Sequence, residues 1–332
     1  MAATSNRLHS ELPSGDPALL NRIAWSRRWS ERQASVDYAL AARRKALDGV
    51  GRRSRAEQGF ALRTLGWQAL WRGDLTLSMD YCLQAEALLP ELEFIQERAG
   101  IYSNLAIIHY LRNRFDLAMC AVERGLWLLQ DESEDTTTLA DLMITQANIQ
   151  RLSGERARAG ITLGRARELA SGEHVAVVDI ATASLLIEDG DAEKALEYAE
   201  AAVNAILTAR DLVTLPYGRS ILADCHTQLG NSLAAVEQIT LGMAELDRED
   251  DEQARCMMLR QRALIYRARK DLTRANDLLT KAAHIAKERG FALWQKKIAL
   301  DSASVLEAKG DAQGAVDQHK MAWRLQNETR MR

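Results

Sequence analysis

The residues that most often perform chemistry are scattered through this 332-residue sequence. The six histidines stand singly, with no second ligand at metal-site spacing, and the four cysteines form no Cys-x-x-Cys pair. The sequence also contains no phosphate-binding glycine loop and no nucleophile motif. We therefore expect a protein without enzymatic activity, metal or other cofactor, in which the cysteines are reduced, buried thiols.

A different chemistry, peptide recognition, is available to a group of aromatic, amide and arginine side chains. The group comprises Arg63, Trp67, Trp71, Asn104, Tyr110, Asn148 and Arg151. Tryptophan offers a large rigid contact area, asparagine can pair with both backbone groups of an extended peptide, and guanidinium groups bind carboxylates. These residues are the candidate binding site. Because Trp67 and Trp71 are four residues apart, however, they could instead pack against the preceding helices.

The charge of the chain is unevenly distributed, although its net value is only -3. From residue 255 onward, 17 Lys and Arg stand against 8 Asp and Glu. Within this basic part, Arg260 and Arg267 are seven residues apart and share a helix face, which makes them a secondary site for an acidic ligand. Basic clusters interleaved with aromatic residues are missing, so nucleic acid is not an expected partner. The acidic run at 247–252 is interpreted as a solvated link.

The elements that must position these side chains form an internal repeat. A small residue recurs at spacings of 36 to 43, at Ser35, Ser78, Ala118, Ala159, Ala195, Ala235, Ala275 and Ala315, and a second small residue follows each after seven positions. Five positions before each of the last seven stands a turn residue, at Gly73, Asn113, Gly154, Gly190, Gly230, Lys270 and Gly310. Small residues allow helices to approach closely, and glycine readily closes a helix. The pattern predicts an all-α solenoid of about eight helix hairpins.

The repeat also predicts the boundaries of the solenoid. The hairpins are expected near residues 19–47, 58–90, 98–130, 139–170, 175–208, 215–247, 254–288 and 292–326. A disordered tail is expected at 1–18, and residues 327–332 are expected to be a tail or the start of a connector helix.

This pattern resembles the tetratricopeptide repeat. The best-matching copy contains Leu65, Gly66, Gly73, Ser78, Ala85, Leu88 and Pro90. The resemblance implies a right-handed superhelix whose first helices line a concave groove, with a protein or peptide as partner. The period of about 40 residues exceeds the roughly 34 of the standard repeat. That difference implies longer helices.

A second resemblance concerns the two ends of the repeat region. The opening WSRRWSERQASVDYALAARRKAL (25–47) and the last hairpin, KGDAQGAVDQHKMAWRLQNETRMR (309–332), resemble the N-terminal sensor regions of bacterial diguanylate cyclases. The GGDEF output motif of those enzymes is absent from this sequence. The resemblance implies a sensory region of a bacterial signalling protein. The alternatives are an autonomous scaffold or adaptor, or the repeat region of a LuxR-type transcriptional regulator, whose helix-turn-helix is not recognisable here.

The hydropathy of the sequence indicates where in the cell the protein is expected, and the last helix indicates how it could form a dimer. No stretch is apolar enough to span a bilayer, and no apolar segment follows the initial methionine, so we expect a cytoplasmic protein that does not bind membranes. The last helix still offers apolar residues such as Val316 and Trp323, which could support a homodimer through one end of the solenoid.

Overall fold

The computed structural model describes residues 15–90, 93–129, 136–172, 174–211, 213–246 and 251–327. Within these ranges the chain forms sixteen α-helices and no β-strand. In chain order they are α1 (Pro17–Ser26), α2 (Arg32–Leu47), α3 (Arg52–Trp71), α4 (Leu75–Leu88), α5 (Ile95–Leu111), α6 (Phe115–Leu128), α7 (Thr136–Leu152), α8 (Arg156–Leu169), α9 (His174–Asp189), α10 (Ala192–Ala209), α11 (Leu215–Gln228), α12 (Ser232–Leu246), α13 (Glu252–Ala268), α14 (Leu272–Glu288), α15 (Ala292–Lys309) and α16 (Ala312–Asn327).

Consecutive helices pair into eight hairpins, which confirms the predicted all-helical repeat fold. Several expected boundaries differ from the structure by a few residues, most of all at α3. Helix α1 begins at Pro17, inside the segment expected to be a tail, because proline is well suited to a first helical turn. Helix α3 begins at Arg52 and not near 58, because Gly51 (φ 99°) ends the preceding turn and arginine is a good helix former. Residues 1–14 and 328–332 of the two predicted tails lie outside the described residues.

The residue between the two helices of a hairpin adopts the left-handed conformation at all seven predicted turns. The φ angles are 80° at Gly73, 58° at Asn113, 86° at Gly154, 84° at Gly190, 77° at Gly230, 62° at Lys270 and 81° at Gly310. Next to several of these turns, an aspartate caps the following helix. Asp74, for example, accepts a hydrogen bond from the backbone N–H of Leu77 at 3.0 Å. The short turn signal therefore fixes both the end of one helix and the start of the next.

The predicted stripe of small residues lies where paired helices touch. The first residue of each stripe, from Ser35 to Ala315, is at most 2% exposed. Close contact is visible at Ser78, whose hydroxyl donates a hydrogen bond to the backbone carbonyl of Gly66 at 2.7 Å across the hairpin. A larger side chain at such a position would have to push the two helices apart.

The first helices of the hairpins form an inner layer and the second helices an outer layer. Each first helix, from α1 to α13, packs against the first helix of the next hairpin, whereas the second helices contact their own partner and the following first helix. This arrangement places the candidate site residues, all of which lie on α3, α5 and α7, on the inner layer.

The inner layer also closes on itself across the superhelix. Helix α15 of the eighth hairpin contacts α5 of the third. The backbone carbonyl of Leu325 accepts a hydrogen bond from Asn113 Nδ2 at 2.9 Å. Near Gly73, an added Cβ would lie only 2.8 Å from Phe291. The interior is therefore a bounded space and not an open groove.

Two sequence interpretations need correction. Cys120 is exposed, whereas the other three cysteines are buried as expected. Asp251, at the end of the acidic run, is only 2% exposed and does not belong to a solvated link. It caps α13 through the N–H of Ala254 at 2.9 Å and accepts a hydrogen bond from the Tyr217 hydroxyl at 3.2 Å. The cap draws this carboxylate inward, while residues 247–250 of the run lie outside the described residues.

We expect Ala195→Trp to destabilise the fold strongly, because Ala195 is fully buried between helices and overpacking costs about 1 to 3 kcal/mol. Urea unfolding measures the change in the free energy of unfolding. Ala201→Trp, on the exposed side of the same helix, is the matched control and should change it by less than about 0.5 kcal/mol. Equal stability of the two variants would contradict the assigned helix contact.

Because Asp251 is buried, we expect the substitution Asp251→Asn to stabilise the fold by an amount that depends on pH. Desolvation raises the pKa of this carboxyl to about 6, against about 4 in an unfolded chain, so ionisation between these values costs native stability. Asparagine can still cap the helix. We expect the variant to be more stable than the native chain by about 2 to 3 kcal/mol at pH 7.5, with the difference vanishing near pH 4. Denaturant titrations at both pH values measure this, with Asp191→Asn, at an exposed helix cap, as control.

Candidate functional site

An aromatic cluster joins the beginning of the superhelix to its middle. Trp29, in the turn between α1 and α2, packs edge-to-face on Trp67 of α3 with the ring centroids 4.6 Å apart, and it lies 5.8 Å from Trp71. On its other side, Trp29 meets His174 of α9 at 5.7 Å, while Trp71 meets Tyr217 of α11 at 5.5 Å. Each contact is near perpendicular, a preferred aromatic geometry, except the tilted pair Trp29–Trp71.

A cavity of about 190 Å³ lies beside this cluster. Its walls are formed by Trp25, Arg28, Trp29, Trp67, Leu70, Trp71, Gly100, Ser103, Asn104, Ile107, Tyr110, Thr137, Thr138, Asp141, Ile144, Thr145, Asn148, Val177, Tyr217 and Gln253. Aromatic rings come from the first, second, third and sixth hairpins, and α5 and α7 contribute amides and hydroxyls. Five of the seven predicted residues, Trp67, Trp71, Asn104, Tyr110 and Asn148, therefore share one space.

A larger and more open recess of about 720 Å³ adjoins the cavity, and both are lined by Trp25, Arg28, Thr137 and Thr138. Arg63, the sixth predicted residue, lines this recess. Its guanidinium carbon stacks 3.8 Å from the centre of the Trp25 ring, and Arg28 lies 4.1 Å from the same centre. Two guanidinium groups thus stack on one indole at the entrance, which holds all three side chains in place.

The seventh predicted residue, Arg151, is already committed to a partner. Its guanidinium forms an ion pair with Glu188 of α9 and also reaches Asn148 Oδ1 at 3.4 Å. Arg151 therefore helps to position Asn148 and does not offer a free guanidinium to a ligand. Tyr110 lies beside the same ion pair, and burial raises the pKa of its phenol.

The secondary basic site belongs to the same charged region of the interior. Arg260 Nε donates to Asp301 Oδ2 at 2.6 Å, and Arg267 donates to the Ser304 hydroxyl at 3.1 Å. Between this pair and Arg151 lies Lys297, whose pKa is lowered to about 7 by burial and then by the positive charges of Arg151 and Arg260. The two sites predicted separately thus meet at one lysine.

Several residues of this region were not identified from the sequence. Trp25, Arg28 and Trp29 belong to the segment WSRRW at 25–29, and the dense spacing of two tryptophans and two arginines was a usable signal. His174 and Tyr217 carried no such signal, because each is a single aromatic residue in an ordinary helix. No group of His, Cys, Asp or Glu in the described ranges is arranged to hold a metal ion.

Comparison with solved structures identifies the fold of this chain, whereas comparison of sequences finds no relative. No family model and no curated protein matches the sequence. Among solved structures, the Rap conjugation gene regulator of plasmid pLS20, in complex with the Phr* peptide, aligns with a TM-score of 0.70 at 13% identity over 95% of this chain and 95% of its own. A Rap protein complexed with Competence and Sporulation Factor aligns with a TM-score of 0.69 at 13% identity, over 95% of this chain and 98% of its own. Aspartyl phosphate phosphatase F from Bacillus subtilis aligns with a TM-score of 0.60 at 13% identity, over 96% of this chain and 86% of its own.

These similarities identify the fold as a tetratricopeptide-like helical repeat. None of the helices in the described residues has the length and apolarity that a membrane span requires.

We expect Lys297→Met to stabilise the protein, because the folded chain disfavours the charged ammonium. The unfolded pKa is about 10.4 and the folded pKa about 7, so native stability is lost as the pH falls through this window. The gain from methionine should be largest at pH 6 and should disappear above about pH 10. Urea unfolding at pH 6 and pH 9.5 tests this, with the exposed Lys287→Met on α14 as control. A loss of stability at pH 6 would mean that the Lys297 charge is favourably paired.

Proposed function

We propose that the chain binds an extended peptide segment inside the superhelix and that binding, not catalysis, is its activity. The observation that carries the proposal is the shared cavity, in which Asn104 and Asn148 stand on the inner helices of consecutive hairpins beside a wall of aromatic rings. Amides spaced along neighbouring helices can pair with successive backbone groups of an extended peptide, and the rings offer contact area for its side chains.

The protonation of the interior side chains supports binding over catalysis. Burial raises the pKa of the Tyr110 and Tyr217 phenols, and it raises the pKa of the Cys82 thiol to about 12. These groups stay protonated at neutral pH, so they are weak nucleophiles and weak bases. Aspartyl phosphate phosphatase F shares the fold, but at 13% identity that likeness concerns architecture alone.

A role in signalling is part of the proposal. Among the neighbours, the pLS20 Rap regulator was solved with a peptide bound, and this supports a peptide ligand for the same architecture here. The diguanylate cyclase context has no support from those neighbours, and an autonomous peptide-binding adaptor would use the same interior. The cytoplasmic location and the homodimer through the last hairpin remain predictions, the latter resting on Trp323, which is 66% exposed.

A random heptapeptide library displayed on phage tests the proposal. We expect sequences enriched on the native chain to bind the variants Asn104→Ala and Asn148→Ala about 5- to 10-fold more weakly, corresponding to roughly 1 kcal/mol or more per lost hot-spot contact. Asn204→Ala, the same substitution on the exposed outer face of α10, should leave affinity unchanged. Circular dichroism melting confirms that each variant is folded.

Two results would contradict the proposal. One is a failure to enrich any sequence. The other is enrichment of peptides whose affinity is the same for the native chain and for both interior variants, because that result would place the binding surface elsewhere.

A further inference from the structure

Gly100 is a buried helical glycine that packing does not require. A Cβ added to Gly59, Gly66, Gly125, Gly218 or Gly242, the other buried glycines within described helices, would come within 3.1 Å of a neighbouring atom. At Gly100 the nearest atom would be Arg63 Cδ at 3.8 Å, an ordinary contact distance. No unusual backbone angle is needed either, since Gly100 is not among the residues with positive φ.

A glycine in the middle of α5 weakens the helix, because its backbone loses more freedom on folding than that of alanine. Because Gly100 lines the 190 Å³ cavity, the absence of a side chain there leaves space in the cavity. For comparison, a cavity of about 150 Å³ with apolar walls binds benzene. The cavity is therefore large enough for one aromatic ring.

Some of the polar groups around this space are buried donors without an acceptor. The indole N–H groups of Trp29 and Trp71 are buried and have no hydrogen-bond partner in the described structure. Trp29 is only 8% exposed. Asn104 is 3% exposed, and its Nδ2 meets no oxygen or nitrogen acceptor, although its side chain interacts with the Cys82 thiol. Buried donors normally find an acceptor, so this wall favours a ligand atom that accepts hydrogen bonds.

We propose that the cavity is an anchor pocket for one aromatic side chain that carries an oxygen acceptor, that is, for a tyrosine-type phenol of the bound peptide. This inference rests on the proposed function and names the residue that the interior selects. The ring fills the space left open by Gly100 against Trp29, Trp67 and Trp71. The phenol oxygen accepts from the unpartnered N–H groups, and its proton can be donated to an oxygen of the same wall, such as that of Ser103.

The acceptor distinguishes tyrosine from the other aromatic residues. Phenylalanine has no polar atom, and the indole of tryptophan is a donor only, so either would leave the wall donors unsatisfied. The rest of the peptide would continue into the adjoining recess, where Arg28 and Arg63 stack on Trp25. The ring would enter from that side, because the cavity and the recess share walls.

The experiment uses side-chain analogues as probes, with calorimetric titration of the full chain by p-cresol, toluene and 3-methylindole. We expect p-cresol to bind about 3- to 10-fold more tightly than toluene, as one satisfied hydrogen bond would give. A merely apolar cavity would reverse that order, because toluene is the more hydrophobic probe. Tighter binding of toluene or of 3-methylindole would overturn the proposal.

Two variants at one position test the location. Gly100→Leu fills the cavity and should abolish p-cresol binding, whereas Gly100→Ala should retain most of it and melt at the same or a higher temperature, since alanine favours the helix. Undiminished p-cresol binding by a folded Gly100→Leu chain would overturn the assignment. If the leucine variant does not fold, Trp71→Phe, which removes one unpartnered indole N–H from the cavity wall, must weaken p-cresol binding by a larger factor than toluene binding. An equal loss for both probes would also overturn the assignment.

The outcome for the anchor pocket is separable from that for peptide binding. If enriched heptapeptides bind the interior and tolerate Gly100→Leu and replacement of their tyrosines by phenylalanine, the pocket assignment is wrong and the proposed function stands. If p-cresol binds as expected and no peptide is enriched, the pocket stands as a site for a free phenol and the proposed function is wrong.

Discussion

Each hairpin of this protein depends on the close approach of two helices at a small side chain. Ser78 and its counterparts in the other hairpins are buried at that contact, and in seven of the eight hairpins a left-handed residue stands five positions earlier, in the turn between the two helices. Because every hairpin exposes an apolar face to the next, the inner helices form one continuous layer. The interior is therefore defined by eight repetitions of one local constraint, and its side chains are free to differ from one hairpin to the next.

This freedom divides the interior into two regions of different character. The aromatic region around Trp29, Trp67 and Trp71 contains buried indole donors without partners, whereas the region around Arg151, Arg260 and Lys297 contains ion pairs. In the charged region most groups already have partners, so a ligand would have to break existing contacts. The aromatic region offers both space and unused hydrogen-bonding capacity. For this reason we propose the aromatic end, and not the charged end, as the binding site.

The repeat could be predicted from the sequence because its determinants are local. The turn residue, the small residues and their spacing all lie within one hairpin. The turn at Gly190 and the helix contact at Ala195 can therefore be predicted without knowledge of any distant part of the chain. The inward direction of Asn104 and Asn148 follows from the same register. What could not be predicted depends on the path of the whole superhelix. Trp29 and His174 are separated by three intervening hairpins, and only the accumulated curvature brings their rings together. The burial of Asp251 was also not predicted, because it involves a contact between neighbouring hairpins, the hydrogen bond from the Tyr217 hydroxyl, for which the sequence carries no local signal.

The contacts that close the interior bear on how the molecule unfolds. A repeat protein with contacts only between neighbours behaves as a one-dimensional array, in which terminal units can melt while central ones persist. Here Trp29 contacts His174, Trp71 contacts Tyr217, and Asn113 binds the carbonyl of Leu325, so hairpins far apart in the chain support one another. Loss of the first hairpin exposes surface in the fifth, and loss of the last exposes surface in the third. The ends are thereby coupled to the middle, so we expect the terminal hairpins to unfold together with the central ones in a single cooperative transition.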